Sequence, residues 1–332
     1  MISHHSFIGI PGLRIGHATD LALCSGVTAV LFEPPCVASV AVLGGAPGGR
    51  ELGPLDPAMT VEHVDAIVLS GGSAFGLDAA GGVQAALRED GRGFLVAGMR
   101  VPLVPQAILF DLLNGGNKAW GRYPPYREMG YAAARAAAAG PFALGSAGAG
   151  TGATTATVKG GLGTASMRTA SGHVVAAIAA VNAAATPTIG DSGHFWAAPF
   201  EIGAEFGGLG WPARMTADDI ALRLKRPPAQ PSTTIGLVAT DATLTKAQAK
   251  RLAIMAHDGL ARAVWPAHLP LDGDTIFAAA TGRVPLGDPL PALAQLGHAA
   301  AMVFARAVAR GVFEATALPF PGAQKAWRDR FG

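Results

Sequence analysis

Three hydroxyl residues in a row, Ser232, Thr233 and Thr234, stand at a seam in this 332-residue chain. Before them runs RPPAQP (226–231), rich in proline. After them comes TIGLVAT (234–240), β-branched and apolar, which predicts a buried strand. A threonine hydroxyl is a weak nucleophile at neutral pH and needs a base. A free α-amino group, with a pKa of about 8, can be that base when it belongs to the same residue. An internal threonine has no free amine. A cut directly before Thr233 would create one, with linker on one side and a rigid strand on the other.

Two further signals carry charge. Lys159 is the only charged residue between Ala136 and Met167, in a run of Ala, Gly, Thr and Val. An ammonium in apolar surroundings is costly to desolvate, and its pKa is easily moved. Asp272 and Asp274 flank a glycine in DGDT just before a strand-like run; they read either as an acidic turn or as a carboxylate pair aimed at an amine. Other motifs fail on context. GAGTGA (148–153) has the loose dinucleotide spacing but no following helix pattern and no acid before Asp191. LSGGSAFG (69–76) has Phe75 where a nucleophile elbow needs Gly, so Ser73 is expected as a helix N-cap. The nine histidines show no metal spacing, and no metal or other cofactor is expected.

The elements that must position these residues can be outlined. VTAVLFE (27–33), VASVAVL (37–43) and AIVLS (66–70) predict strands, followed by a helix to about Asp90. A helix is expected at 128–139. GTASMRT and VVAAIAAVNA predict a hairpin, and 218–224 a short helix before the linker. Thr245 and Gln248 have capping-box spacing at the start of a helix with apolar Ala249, Leu252, Ala253, Ala256 and Leu260. TIFAAAT (275–281) predicts a strand and 290–311 a final helix. Irregular mixing of strands and helices favours a layered α+β fold over a doubly wound sheet. A net charge of +2 without a basic run argues against nucleic acid as partner. Cys24 and Cys36 predict reduced thiols and a cytoplasmic protein. The start shows no secretory pattern, and 174–185 is too short to cross a membrane, so no membrane partner is expected.

Taken together, GIPGLRIGHATD (9–20), LSGGSAFGLDAA (69–80), GAGTGAT…KGGLGTAS (148–166), VVAAIAAVNA (174–183), 233–264 and DGDT (272–275) resemble the DmpA-type aminopeptidase family. That family holds L-aminopeptidase/D-esterases, β-aminopeptidases and 6-aminohexanoate (nylon) oligomer hydrolases. The resemblance spans nearly the whole chain. It implies a four-layer αββα sandwich. It also implies self-cleavage into an α chain (1–232) and a β chain (233–332), with the new N-terminal residue as nucleophile. The nucleophile falls on Thr233, the family's lysine on Lys159, its oxyanion-binding asparagine on Asn182 and its acidic pair on Asp272 and Asp274. The residue before the cut is Ser232, where the nylon-hydrolase branch has Asn and others Gly. A family tyrosine aligns near Phe110, which would remove one hydroxyl donor.

The resemblance implies no cofactor, a small peptide or amide substrate, and a homo-oligomer, a tetramer of αβ units. It leaves open which substrate: L-, D- or β-residue peptides, or ω-amino-acid oligomers. Two other readings also stand: acyl transfer as in the self-cleaving ornithine acetyltransferases, and an uncleaved, non-catalytic homologue.

Overall fold

The strand expected at 234–240 is present and begins one residue earlier, at Thr233. The computed structural model describes residues 9–225 and 231–332, so 226–230 of the proline-rich stretch and the His4–His5 end lie outside the described residues. Eleven strands run through the described residues: β1 (Leu13–Asp20), β2 (Ser25–Val42), β3 (Gly49–Arg50), β4 (His63–Ser70), β5 (Phe94–Val96), β6 (Met99–Val101), β7 (Gln106–Ile108), β8 (Leu162–Arg168), β9 (Val174–Asn182), β10 (Thr233–Ala242) and β11 (Thr275–Val284). With them run helices α1 (Ser73–Gly76), α2 (Ala79–Glu89), α3 (Tyr126–Arg135), α4 (Lys246–Ala261), α5 (Pro289–Phe313) and α6 (Trp327–Phe331).

Nine strands join in the order β3-β7-β4-β2-β11-β10-β9-β8, with β1 on β2. β10–β11 and β4–β7 are parallel; the other pairs are antiparallel. Two strands expected at 27–33 and 37–43 are one, the 18-residue β2. Its first half pairs with β1 and β4 and its second half with β11; β4 follows it across a register shift between Leu31 and Cys36, to Val37. β2 thus carries the chain from one sheet half to the other.

Three cores separate four layers. α2 and α3 cover one sheet half through Val83, Leu87, Tyr126 and Ala133 against Val27, Ala29, Ala66 and Val68. α4 and α5 cover the other through Leu252, Val303, Phe304 and Val308 against Val175, Ala177, Ala179 and Val238. Between the sheet halves lie Phe32, Ile67, Leu69, Ile178, Ile235, Leu237 and Phe277. This is the αββα sandwich expected, with the two β layers joined through β2. Strands buried on both faces read as continuous apolar runs rather than as alternation. In β9 and β10, Ile178 and Ala180 with Ile235 and Leu237 face the central layer, while Ala179 and Val238 face the helices.

Small residues let the layers touch. A Cβ on Gly163 in β8 would come 2.0 Å from the Ala307 carbonyl oxygen and 2.3 Å from the Gly311 nitrogen, so α5 lies backbone against strand. α5 has a mean hydropathy (1.3) and length that would also suit a membrane span, but it is largely buried in this core. The capping box at Thr245 and Gln248 is formed. Two local expectations are corrected. Ser73 is not an N-cap: Gly72 holds that position without a side-chain bond, and both residues turn left-handed (φ 89° and 51°) beneath the Tyr126 ring. Residues 218–224 are a turn (218–220) and an irregular stretch rather than a helix; Asp219 accepts from Thr216 N and Oγ1 and closes a tight loop there.

Two α5 arginines meet one buried carboxylate: Glu205 pairs with Arg306 and lies 3.9 Å from Arg310 Nε. Arg306 is fully buried and bonds Glu205 through Nε (2.5 Å) and Nη2 (2.9 Å), and the Ser166 carbonyl through Nη1. Removing one partner of such a pair leaves a buried charge. Arg306→Ala is expected to lower unfolding free energy by about 3–5 kcal/mol, measured by urea denaturation; a loss below about 1 kcal/mol would show the pair to be incidental.

Candidate active site

The site is built where β10 begins. Thr233 pairs with Asn182 across the antiparallel β9–β10 ladder, so both side chains lie on the face that carries Ile235 and Ala180, between the sheet halves. Thr233 is 3% exposed and Asn182 fully buried. The Thr233 hydroxyl donates to the carbonyl of Ser232, its own preceding residue.

On the other side Ser232 forms a parallel bridge with Asp272. Ser232 N donates to the Leu271 carbonyl (3.1 Å), and Gly273 N donates to the Ser232 carbonyl (2.9 Å). The acidic pair brackets this bridge. Asp274 accepts from Thr234 N (2.8 Å), His268 N (3.0 Å) and His268 Nδ1 (2.9 Å). Asp272 accepts from Ala184 N (3.0 Å) and Leu269 N (3.3 Å). Burial, then the neighbouring Asp274 charge, pushes the Asp272 carboxyl up to about 6.

Asn182 is locked by donors on its oxygen. Its Oδ1 accepts from Thr154 N and from Lys225 Nζ, both at 3.0 Å, which leaves Nδ2 to donate to the Phe110 carbonyl (2.9 Å). Phe110 therefore does lie beside Asn182, but it offers a carbonyl and no hydroxyl. Lys225 Nζ also bonds the Asn182 carbonyl (3.0 Å). Lys159 is one step further out: it bridges Thr154, and its Nζ donates to the carbonyls of Gly150 (3.1 Å) and Gly160 (2.8 Å). The Thr233 hydroxyl and the Lys159 ammonium thus each bond backbone carbonyls, not one another.

Both lysines are buried, and desolvation lowers each to about 7; Asp111 opposes this at Lys159 and Asp272 at Lys225. Asp111 is itself buried, accepts from Ser25 Oγ (2.6 Å) and Gly72 N (2.7 Å), and is raised by desolvation. Beside the site a cavity of about 630 Å³ is lined by Asn114, Thr154, Leu224, Lys225, Phe320 and Gln324, among others.

The profile of peptidase family S58 matches residues 6–325. The chain belongs to peptidase family S58. This S58 peptidase is 42% identical over 334 residues to an uncharacterized aminopeptidase of Mycobacterium tuberculosis, with 94% of each chain covered. A 6-aminohexanoate-oligomer endohydrolase of Kocuria sp. is 27% identical over 285 residues, covering 83% of this chain and 75% of that one. Among solved structures, a beta-aminopeptidase of Burkholderia sp. matches with a TM-score of 0.67 at 24% identity, over 98% of this chain and 91% of that one. The L-aminopeptidase D-Ala-esterase/amidase of Ochrobactrum anthropi, a variant of the Ntn hydrolase fold, matches at 0.67 and 19%, over 94% and 87%. These likenesses show that the S58 peptidase has that fold.

Sequence reasoning marked Thr233, Asn182, Lys159, Asp272 and Asp274; the structure places Thr233, Asn182, Asp272 and Asp274 around one strand end, with Lys159 behind them beyond Thr154. It missed Lys225, Asp111, His268 and Gly273. Lys225 sits among charged neighbours in the sequence, so nothing flagged its burial; Asp111 and His268 carry no spacing signal.

The lysine shifts have a measurable sign. Below about pH 7 both ammonium groups are charged in folded and unfolded chains, and the burial cost is fully present. Above it the folded chain sheds protons that the unfolded chain keeps until about 10.5, so stability rises with pH. The buried thiols of Cys24 and Cys36, raised by desolvation, oppose this only as unfolded thiols ionise near pH 9. In a Thr233→Ala chain the urea midpoint should climb between about pH 7 and 8.5, and Lys159→Met should flatten the climb. A Met variant with the same slope would contradict the assignment.

Proposed function

We propose that this S58 peptidase is a self-processed N-terminal-nucleophile amide hydrolase, cut between Ser232 and Thr233 into 1–232 and 233–332. The observation that carries the reading is the Thr233 hydroxyl resting on the carbonyl of the bond to be broken, at the start of a strand held on both sides. Once cut, the Thr233 amine takes the proton of its own hydroxyl, and Oγ1 attacks a substrate carbonyl to give an acyl-enzyme. The protonated amine then gives that proton to the substrate's departing amine or alkoxide as its bond to the acyl carbon breaks, and water hydrolyses the acyl ester to restore the hydroxyl.

The surrounding side chains have separate tasks. Asp272 and Asp274, pinned by backbone N–H groups, place negative charge beside the new amine and the amino end of a substrate. Lys159, poised near neutrality, favours developing negative charge at the nucleophile. Asn182 Nδ2 is the oxyanion donor for substrate. In the uncut chain it is turned to Phe110 because Lys225, seven residues before the scissile position, holds the opposite side of the amide. Release of the 1–232 end loosens that hold.

Family membership and the 42%-identical aminopeptidase favour substrates with a free amino end: short peptides, amino-acid amides and esters. The cavity beside Lys225 leaves room for longer ω-amino-acid oligomers. A cytoplasmic homo-oligomer is part of the same reading. The β5–β6 hairpin supports self-association, since it exposes Phe94, Leu95, Val96, Met99 and Val101 together.

Hydrolysis of amino-acid p-nitroanilides tests the assignment. Thr233→Ala should show no turnover. Asn182→Ala, assayed on processed protein, should lose about 100- to 1,000-fold in kcat. Turnover by Thr233→Ala would refute the reading.

A further inference from the structure

We propose that the backbone N–H of Gly273 is the oxyanion donor for self-cleavage, distinct from the Asn182 amide assigned to substrate turnover. The inference rests on the reading that the chain cuts itself before Thr233.

The step needs a donor on one atom. Thr233 Oγ1 adds to the Ser232 carbonyl carbon, and the carbonyl oxygen becomes an oxyanion. The C–N bond to Thr233 then breaks. The hydroxyl proton ends on the Thr233 nitrogen, which becomes the amine, and Ser232 is left as an ester on Oγ1. Water hydrolyses that ester to the Ser232 carboxylate and restores the hydroxyl. A donor aimed at such an oxygen before the reaction is worth about 100- to 1,000-fold in rate.

Gly273 N already donates to that oxygen at 2.9 Å. Asn182 Nδ2 donates to Phe110 instead, so it does not compete for the role in the uncut chain. The Gly273 amide is rigidly held. Asp272 on one side is fixed by Ala184 N and Leu269 N, and its carbonyl accepts from Ala46 N at 2.8 Å. Asp274 on the other side is fixed by Thr234 N and His268. The glycine is required by space. A Cβ at 273 would lie 2.7 Å from the Ala46 carbonyl oxygen and 2.8 Å from Thr233 Oγ1, displacing the nucleophile itself. The DGD triplet therefore reads as a frame: two anchored carboxylates hold one small donor against the carbonyl being cut.

The test follows conversion of the full-length chain by intact mass. One protein carries glycolic acid in place of Gly273, which deletes the N–H and adds no Cβ. A control carries lactic acid in place of Ala46, which deletes a brace of the same loop away from the reacting oxygen. Wild type should convert, the Gly273 ester should convert about 100- to 1,000-fold more slowly, and the Ala46 ester should stay within a few-fold of wild type. Gly273→Ala should also be slow while keeping the wild-type circular dichroism spectrum. If wild type converts and the Gly273 ester keeps pace, or both esters slow equally, Gly273 is not the donor. If wild type never converts, the self-cleavage reading fails, and this inference with it.

Discussion

The peptide bond between Ser232 and Thr233 is gripped by sheet on both sides, and the chemistry depends on that grip. Strand ends usually fray. Here the first residue of β10 is paired with Asn182, and the residue before it is bridged to Asp272. The carbonyl between them cannot rotate away from the neighbouring hydroxyl without breaking the bridge. Because the pair is buried between the two β layers, water is largely excluded, and each dipole aimed at the bond acts in a low dielectric.

That burial also sets the charges. Burial brings the ammonium groups of Lys159 and Lys225 down to about 7, while Asp111 and Asp272 limit how far each falls. The sandwich architecture is thus part of the electrostatics. α4 and α5 close one face and α2 and α3 the other, with close glycine contacts such as Gly163 against Gly311 excluding solvent. Both lysines precede the proposed cut, but at different distances from it. Lys159 contacts the loop behind Asn182, whereas Lys225 belongs to the segment that a cut would release from its fixed end.

Much of this was legible in the residues. β10, the β8–β9 hairpin, the α4 capping box and α5 follow from apolar runs and cap spacing, which depend on local chemistry. Thr233 stood out through its position at a seam, and Lys159 through the absence of other charges around it. The joining of 27–33 and 37–43 into one strand was hidden because Pro34 and Pro35 read locally as a break, while pairing with β11 and β4 carries the strand across them. Ser73 failed as a cap because the Tyr126 ring packs against Gly72, a contact with no local signal. Lys225, Asp111 and His268 were invisible for the same reason: their burial and partners are set by segments 43, 39 and 6 residues away. Gly273 was in plain view between two aspartates, but only register across the bridge shows that its N–H meets the Ser232 carbonyl.

N-terminal sequencing of purified, catalytically active protein tests the central claim most directly. The account requires a second terminus reading TTIGLVAT, in equal amount to the first. Active protein that yields a single terminus from the start of the chain would contradict it.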